Sequence, residues 1–387
     1  MRDHEGLTFP IEEYKRRIEE LRHRMRDRRM HALIVTDPEN LAYLTGYQTT
    51  GYSYFQALIV PLESEPFMIT RLLEDSNVHA RTWVEKTYPY TDTGDAIQMA
   101  WNALNQNGLS NRIIGYEKNS YFFPAYQQER MLATLFDAQL FDCSGIVEEG
   151  RITKSKYEID AMRKAARATE AGIRAGIEAA EVGMTENEVA AEVCHAMFKN
   201  GGEYPAVLPY VTSGPRSLIG HATWEGRTIG KDECVFLEVG GCFRRYHTAM
   251  MRTVYLGDPP QALLEAEELT TEAVGKMIET MRPGLTASDA DNAAREVLAR
   301  HTGGGQLVTR SGYAIGIAFA PSWDEGYMLS LKAGEGTVLR EGMTFHLIPW
   351  LYGVEGKYVM GTSETVYVTE TGCESFCEVP RKLTVKA

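Results

Sequence analysis

Residues 235–257, VFLEVGGCFRRYHTAMMRTVYLG, decide the fold of this chain. The pattern of an apolar strand, a two-residue turn at Arg244-Arg245 and a return strand predicts a β-hairpin. One carboxylate, Glu238, lies within its apolar run VFLEV. A carboxylate placed there is expected to be desolvated, which makes it a candidate for chemistry. The alternative is a buried acid that pairs with an arginine such as Arg252.

Composition limits the classes of partner. The chain has 387 residues, 44% hydrophobic and 24% charged, which suits a globular protein with room for two domains. Its net charge of −13 argues against nucleic acid and anionic membranes and favours a cationic or zwitterionic substrate. The sequence contains no apolar run of about 18 residues, so no membrane span is expected. The first ten residues lack the apolar region of a signal peptide, so a cytoplasmic location is expected.

The cysteines show no metal or disulfide pattern. The one close pair, Cys373 and Cys377, has no second pair to complete a zinc site. We therefore expect free thiols in a reducing compartment.

Residues 1–150 alternate strands with helices, which predicts a small α/β domain. An amphipathic helix is predicted at 14–29, and strands at 32–36, 57–61 and 66–70. The polar segment EEGRITKSKYE, residues 148–158, marks the boundary to the next domain.

Residues 151–387 carry a helix pair on each side of the hairpin. Helices are predicted at 154–181 and 185–200, the second with a capping box of Thr185 and Glu188. A second pair is predicted at 264–281 and 288–301, followed by strands at 343–351 and 365–369. Two helices plus strands, occurring twice, indicate an internally duplicated domain.

Several phrases resemble the creatinase–prolidase (M24, "pita-bread") family over nearly the whole chain. They are TDPENLAYLTGY (36–47), TKSKYEIDAMRKA (153–165), TSGPRSLIGHATW (212–224) and LREGMTF (339–345). The resemblance implies a two-domain α+β fold. A creatinase-like α/β domain at 1–150 would precede a pita-bread catalytic domain at 151–387.

Metal-dependent members of this family hold two metal ions with five side chains. The matching positions here are Glu238, Ala249, Ala320, Ile348 and Ser363. At most two oxygen donors remain, and a divalent ion needs several. We therefore expect neither a metal nor another cofactor. Creatinase is a metal-free member, so the loss of ligands does not imply the loss of catalysis.

Longer segments are similar to the ectoine hydrolases of this family, namely GGEYPAVLP (201–209), TWEGR (223–227), FLEVGGCFRRYH (236–247), APSWDEGYMLSLKAGEG (320–336) and EVPRKLTVK (378–386). They imply a hydrolase that opens a non-peptide C–N bond of a small cyclic amidine, with ectoine favoured. QTTGYSYFQ (48–56) and LIPWLY (347–352) depart from the pattern. The alternatives are a creatinase-like hydrolase of another guanidino or amidine compound, a metal-dependent Xaa-Pro peptidase, and an inactive binding protein.

An amidine is already protonated at neutral pH, so its carbon needs no metal to become electrophilic. A carboxylate can pair with the cation and attack that carbon or direct water onto it, a role that we assign to Glu238. By resemblance to creatinase, His221 is the general acid/base; the alternative is a structural histidine.

Further side chains are candidates for substrate binding. Strand alternation puts His346 on the same face as Ile348. Tyr313 stands where family members often have a substrate-facing histidine, and Trp323 and Glu325 lie in a loop where they can stack on or pair with a cation. Glu364, beside Ser363, is a further candidate acid. Core packing or ordinary surface are the alternatives for these residues.

Tyr52, Tyr54 and Phe55 form an aromatic cluster in the N-terminal domain. In creatinase the matching loop reaches the partner's site across a dimer interface, which implies a homodimer with Tyr52 and Tyr54 near substrate. Core packing or an ordinary interface is the alternative. Three arginines are possible partners for a substrate carboxylate, and four other basic residues are expected to be solvated. The first set is Arg71, Arg216 and Arg310, and the second is Arg244, Arg245, Arg381 and Lys382.

Overall fold

The computed structural model describes residues 6–387, and the chain divides into two compact units between Arg151 and Ile152. The helices of the N-terminal unit are α1 (Ile11–Asp27), α2 (Pro38–Thr45), α3 (Leu72–Arg81), α4 (Ala96–Gln106), α5 (Ala125–Thr134) and α6 (Glu148–Arg151). Its strands are β1 (Ala32–Val35), β2 (Ala57–Pro61), β3 (Phe67–Arg71), β4 (Lys86–Tyr90), β5 (Ile113–Tyr116) and β6 (Gln139–Asp142).

These strands form one mixed sheet in the order β4-β3-β2-β1-β5-β6. The central strands β1 and β2 are buried along their whole length, as their unbroken apolar sequences predict. Asp37 caps α2, because its side chain accepts from the Glu39 N–H, and Gly46 ends that helix at a φ of 83°. The three strands predicted in this region are β1, β2 and β3.

The C-terminal unit contains four long helices and eleven strands. The helices are α7 (Lys156–Ala179), α8 (Glu186–Lys199), α9 (Gln261–Thr280) and α10 (Ala287–Leu298). The strands are β7 (Tyr210–Ser213), β8 (Glu233–Phe243), β9 (Tyr246–Leu256), β10 (Gly312–Ala314), β11 (Ser330–Leu331), β12 (Thr344–Leu347), β13 (Leu351–Val354), β14 (Tyr358–Met360), β15 (Glu364–Val368), β16 (Cys373–Ser375) and β17 (Thr384–Lys386).

Each helix pair of this unit belongs to its own apolar cluster. One cluster joins α7 and α8 to β8 and β9, and the other joins α9 and α10 to β10, β12 and β15. The second helix of each pair starts with a capping box, Thr185 with Glu188 in α8 and Thr286 with Asp289 in α10. The two helix-and-sheet halves form the duplicated arrangement that the sequence predicts.

The hairpin of β8 and β9 organises the first half. The turn residues Arg244 and Arg245 have φ angles of 50° and 68°, as a tight two-residue hairpin turn requires. Glycine is needed twice in β8, on opposite faces. A Cβ on Gly240 would lie 2.6 Å from the ring of Trp323, and one on Gly241 would lie 2.4 Å from the carbonyl oxygen of Ala165 in α7.

The prediction that Arg245 is solvated is wrong. Its side chain is fully buried, donates to the carbonyl oxygens of Ala318 and Tyr204, and lies 4.2 Å from the Tyr204 ring centroid. These partners stand far from Arg245 in sequence, so the turn motif alone could not show them. Arg381 also has a partner, because its Nε lies 3.3 Å from the Glu364 carboxylate.

All six cysteines are free thiols, and four of them are buried. Within residues 6–387 no helix combines the length and the apolar character that crossing a bilayer requires.

Candidate active site

A cavity of about 740 Å³ lies in the C-terminal unit, within the range of small-molecule sites. Two stretches of chain flank the hairpin face, one before β8 and one after α10. The principal lining residues are Tyr210, Thr212, Ser217, Ile219, His221, Phe236, Glu238, Met251, Arg310, Tyr313, Trp323, Asp324, Ile348, Trp350 and Tyr352.

Strand register places Glu238 in this cavity. Glu238 pairs with Tyr210 on β7 and with Met251 on β9, so the three side chains share one face of the sheet. Phe236, two residues earlier, shares that face by alternation. The floor of the cavity is therefore one acid among apolar and aromatic neighbours.

The Glu238 carboxylate has no ion-pair partner in the described part of the chain. Arg252, the alternative partner, stands opposite Leu237 and pairs with Glu364 instead, at 2.6 Å. Burial, and then the charge of Asp324, raise the pKa of Glu238 from 4.5 to about 8. Because the folded protein holds this proton more tightly, Glu238 lowers the free energy of unfolding progressively as the pH rises from about 4.5 to about 8.

His221 lies at the rim of the cavity. It is exposed, has a left-handed φ of 58°, and its ring centroid is 6.0 Å from that of Tyr210. Two hydrogen bonds hold the loop that carries His221. The Tyr352 hydroxyl donates to the Leu218 carbonyl, and buried Glu186 accepts from Arg216.

Tyr313 and Trp323 form a buried aromatic wall. The Trp323 Nε1–H donates to the Tyr313 hydroxyl oxygen at 3.0 Å. The Trp323 ring meets Tyr210 edge-on, with centroids 6.0 Å apart. Both residues were singled out in the sequence, and both line the cavity.

The loop after β10 presents Asp324 to the cavity, not Glu325. Asp324 is ion-paired with Arg310, which also lines the cavity. Glu325 is only 2% exposed, and its carboxylate lies 2.8 Å from the Lys154 ammonium. Glu325 pairs with a buried cation and is not among the lining residues, and its contact with substrate stays a prediction. An irregular loop has no fixed period, so its sequence could not tell the two acids apart.

His346 and Glu364 are also set back from the cavity. His346 is fully buried between the Tyr313 hydroxyl, at 2.8 Å from Nδ1, and the Ser363 hydroxyl, at 2.7 Å from Nε2. Burial, with the charges of Arg252 and Arg310, lowers its pKa to about 3. Neither residue is among the lining residues, and Glu364 is the buried partner of Arg252. Direct contact of His346 and Glu364 with substrate stays a prediction.

The aromatic cluster of the N-terminal unit divides into core and surface. Phe55 belongs to the core of that unit, as the alternative interpretation expects. Tyr52 packs edge-on against Phe122 with centroids 4.9 Å apart, and Tyr54 is half exposed. That Tyr52 and Tyr54 complete a partner's site stays a prediction.

Of the three arginines considered for a substrate carboxylate, Arg310 lines the cavity. Arg71 belongs to the N-terminal unit and pairs with Asp92. Arg216 is held by Glu186 and Glu225.

The donor set does not fit a metal centre of the family type. Among residues 6–387, no group of three or more His, Cys, Asp or Glu side chains is placed to hold a metal ion. Ala249 and Ile348 offer no side-chain donor, and the Ser363 hydroxyl accepts from the Met251 N–H at 2.6 Å. No step of the chemistry is therefore assigned to a metal.

Comparison with known proteins places the chain in a family. Residues 160–370 match metallopeptidase family M24, and residues 17–153 match the creatinase/prolidase N-terminal domain. The chain is 32% identical over 403 residues to the ectoine hydrolase of Halomonas elongata, covering 98% of this chain and 99% of that protein. It is 29% identical over 238 residues to the Xaa-Pro dipeptidase of Pyrococcus furiosus, covering 62% of this chain and 66% of that one.

A solved structure shows the same fold. The recombinant prolidase of Thermococcus sibiricus has a TM-score of 0.86 at 22% identity, covering 96% of this chain and 99% of that one. This likeness confirms the predicted two-domain fold. With both domain families matched in order and a full-length relative above 30% identity, the chain belongs to metallopeptidase family M24, as a hydrolase with a creatinase/prolidase-type N-terminal domain.

Proposed function

We propose that this protein is a metal-independent hydrolase that opens a non-peptide C–N bond of a small cyclic amidine, with ectoine as the favoured substrate. One observation carries the proposal: the half-buried carboxylate of Glu238 faces an aromatic cavity and has no cation partner among residues 6–387. A substrate cation would supply the missing partner. The relation to the ectoine hydrolase of Halomonas elongata supports this substrate class.

Glu238 performs the first step. An amidinium near Glu238 favours its ionised form, so substrate binding lowers the pKa of a group that is about 8 in the free protein. The resulting carboxylate pairs with the amidinium nitrogen. It then attacks the adjacent carbon or removes a proton from the water that attacks it.

His221 serves the leaving nitrogen. Its exposed ring lies at the rim, in reach of solvent, and imidazole is the side chain that most often transfers protons in catalysis. Opening the ring of ectoine in this way gives an acetylated diaminobutyrate.

The other lining groups match the two ends of a zwitterion. Tyr210, Tyr313 and Trp323 offer ring faces and edges around the cavity, where a cation is stabilised by aromatic neighbours. Arg310 is the guanidinium available to a substrate carboxylate, although it shares its charge with Asp324.

A single incubation series separates the candidate functions. Purified protein is mixed with ectoine, creatine or a Xaa-Pro dipeptide, with and without chelator, and products are followed by NMR. Chelator-insensitive opening of ectoine supports the proposal, whereas creatine turnover would indicate a guanidino hydrolase. Chelator-sensitive dipeptide cleavage would indicate the peptidase that the Pyrococcus furiosus relative represents. Binding without turnover would indicate a binding protein.

We also propose that the protein acts in the cytoplasm as a homodimer in which the loop of Tyr52 and Tyr54 lies near the partner's cavity. The half-exposed ring of Tyr54 and the exposed Leu72 and Leu73 support an interface on the N-terminal unit. Sedimentation measures the assembly state, and a fully active monomer would refute the proposal.

A further inference from the structure

Behind the aromatic wall runs a chain of buried hydrogen bonds that the proposed reaction does not use. It connects the Trp323 indole, the Tyr313 hydroxyl, the His346 imidazole and the Ser363 hydroxyl, with distances of 3.0, 2.8 and 2.7 Å in that order. His346 and Ser363 are fully buried, whereas Trp323 and Tyr313 line the cavity. The direction of the protons along this chain decides what Tyr313 presents to a substrate.

The chain of hydrogen bonds ends on both sides at an N–H group, which can only donate. The Trp323 Nε1–H donates to the Tyr313 oxygen, and the Met251 backbone N–H donates to the Ser363 oxygen at 2.6 Å. In the described residues the Ser363 hydroxyl has one other partner, Nε2 of His346. The Ser363 proton therefore has a single acceptor available, and that acceptor is Nε2.

Neutral His346 has two tautomers, and they leave different protons without a partner. With the proton on Nε2, the imidazole donates to Ser363, Tyr313 donates to Nδ1, and the buried Ser363 proton has no acceptor. With the proton on Nδ1, Ser363 donates to Nε2 and the imidazole donates to the Tyr313 oxygen. The only proton left over is then that of Tyr313, a residue that lines the cavity, and a ligand bound there can accept it.

A buried hydroxyl without a partner is costly, so the Nδ1–H tautomer is favoured. In this tautomer the Tyr313 oxygen accepts from both Trp323 and His346. Two incoming donors polarise the O–H bond and strengthen its own donation. Glu238 and Tyr313 line the same cavity, and burial, followed by the charge of Glu238, raises the pKa of Tyr313 well above its ordinary value, so Tyr313 keeps its proton.

We propose that Ser363 and His346 are positioning residues that hold the Tyr313 proton in the cavity, where Tyr313 donates a hydrogen bond to the oxygen that adds to the substrate carbon. The role of Tyr313 rests on the proposed function; the proton arrangement does not. Tyr313 keeps its proton throughout, so no covalent step is added. Ser363 stands at a ligand position of metal-dependent relatives, so here a hydrogen-bond relay occupies that position.

The proton arrangement is tested without any substrate. The full-length protein is labelled with ¹⁵N-histidine, and loss of a signal in His346→Gln assigns the ring nitrogens of His346. The expected result is a neutral ring with its proton on Nδ1 and an accepting Nε2. A proton on Nε2, or a doubly protonated ring, would overturn the proposal.

The consequence for turnover is tested with three variants. Tyr313→Phe should lower kcat by about 10²-fold, as expected when the oxygen that adds to the substrate carbon is no longer held in position. Ser363→Ala should lower kcat by a smaller factor and leave KM unchanged. Ser311→Ala is the matched control, since Ser311 is a buried serine bonded to the Leu331 carbonyl, outside the relay.

Wild-type kcat in Ser363→Ala would refute the relay. A protein that turns over none of the tested substrates would refute the proposed function, while the NMR result would still decide the tautomer. The two failures are therefore distinguishable.

Discussion

The two halves of the C-terminal unit treat their strand acids differently. In the first half, Glu238 on β8 faces the cavity, and among the described residues no cation pairs with it. In the second half, Glu364 on β15 is fully buried and lies 2.6 Å from the Arg252 guanidinium. Glu238 lies within β8 and Glu364 begins β15, yet only Glu238 remains available to a ligand.

The difference reflects what surrounds each acid. The Glu364 carboxylate is held by the guanidinium of Arg252 from β9, and the nearby His346 bonds to Ser363. A carboxylate paired with a guanidinium is less available to a substrate cation. Glu238 is therefore the acid that can bind the substrate, and the following substitutions test that division.

The largest effect is expected from Glu238→Gln, which should abolish turnover while the protein folds normally. The amide is nearly isosteric, but it can act neither as a nucleophile nor as a base. Substrate binding should weaken as well, because the negative charge that would pair with the amidinium is gone. Product assay measures turnover and calorimetry measures binding; retention of more than about a tenth of wild-type turnover would exclude Glu238 as the catalytic carboxylate.

His221→Ala should lower kcat by about 10²- to 10⁴-fold, the loss typical of a missing general acid/base. The residue is exposed, so the free energy of unfolding should hardly change. His195→Ala, which removes an exposed histidine from α8, is the matched control. Equal kinetics in the two variants would show that His221 is not part of the chemistry.

Local signals made much of the fold predictable. The capping box of Thr185 and Glu188 and the hairpin turn at Arg244-Arg245 depend on neighbouring residues only, and both are present. The burial of Arg245 was missed because its partner, the Ala318 carbonyl, is 73 residues away. Contacts of that range depend on how the two halves pack, which a single sequence does not encode locally.

A position in the cavity could be predicted where the face of a residue followed from the hairpin or from the family resemblance. Glu238, Tyr313 and Trp323 all line the cavity. For His346, alternation along β12 gave the period but not the face, because every residue of that strand is buried. Asp324 was missed because its loop has no period at all.

Glu364→Gln tests whether the acid paired with Arg252 serves stability, in contrast to Glu238. Removing the charge leaves buried Arg252 without its carboxylate, which should lower the free energy of unfolding by about 3 kcal/mol. Specific activity of the folded protein should stay near wild type, since Glu364 is set back from the cavity. Urea unfolding measures the first quantity; a loss of activity without a loss of stability would restore Glu364 as a substrate ligand.

Asp324→Asn should shift the pH profile of kcat/KM. Burial first, and then the charge of Asp324, raise the pKa of Glu238 to about 8, so kcat/KM should rise with pH up to about that value. Without the Asp324 charge the pKa of Glu238 falls, and the acid limb should move to lower pH. Glu370→Gln removes an exposed acid of the same unit and should leave the limb in place. If the acid limb of the pH profile does not move in Asp324→Asn, the charge of Asp324 does not act on the pKa of Glu238.

The smallest expected effect is that of a chelator, which should leave turnover unchanged. Ala249, Ala320 and Ile348 contribute no side-chain donors, and Ser363 is engaged with His346 and the Met251 N–H. A lone carboxylate at Glu238 binds a divalent ion too weakly to retain it. Activity is compared before and after dialysis against chelator, together with elemental analysis of the purified protein. The proposal would be refuted by a stoichiometric divalent metal, or by turnover that fails on dialysis and returns with added metal. Either result would show that a metal ion, and not the charge of the substrate, activates the substrate carbon.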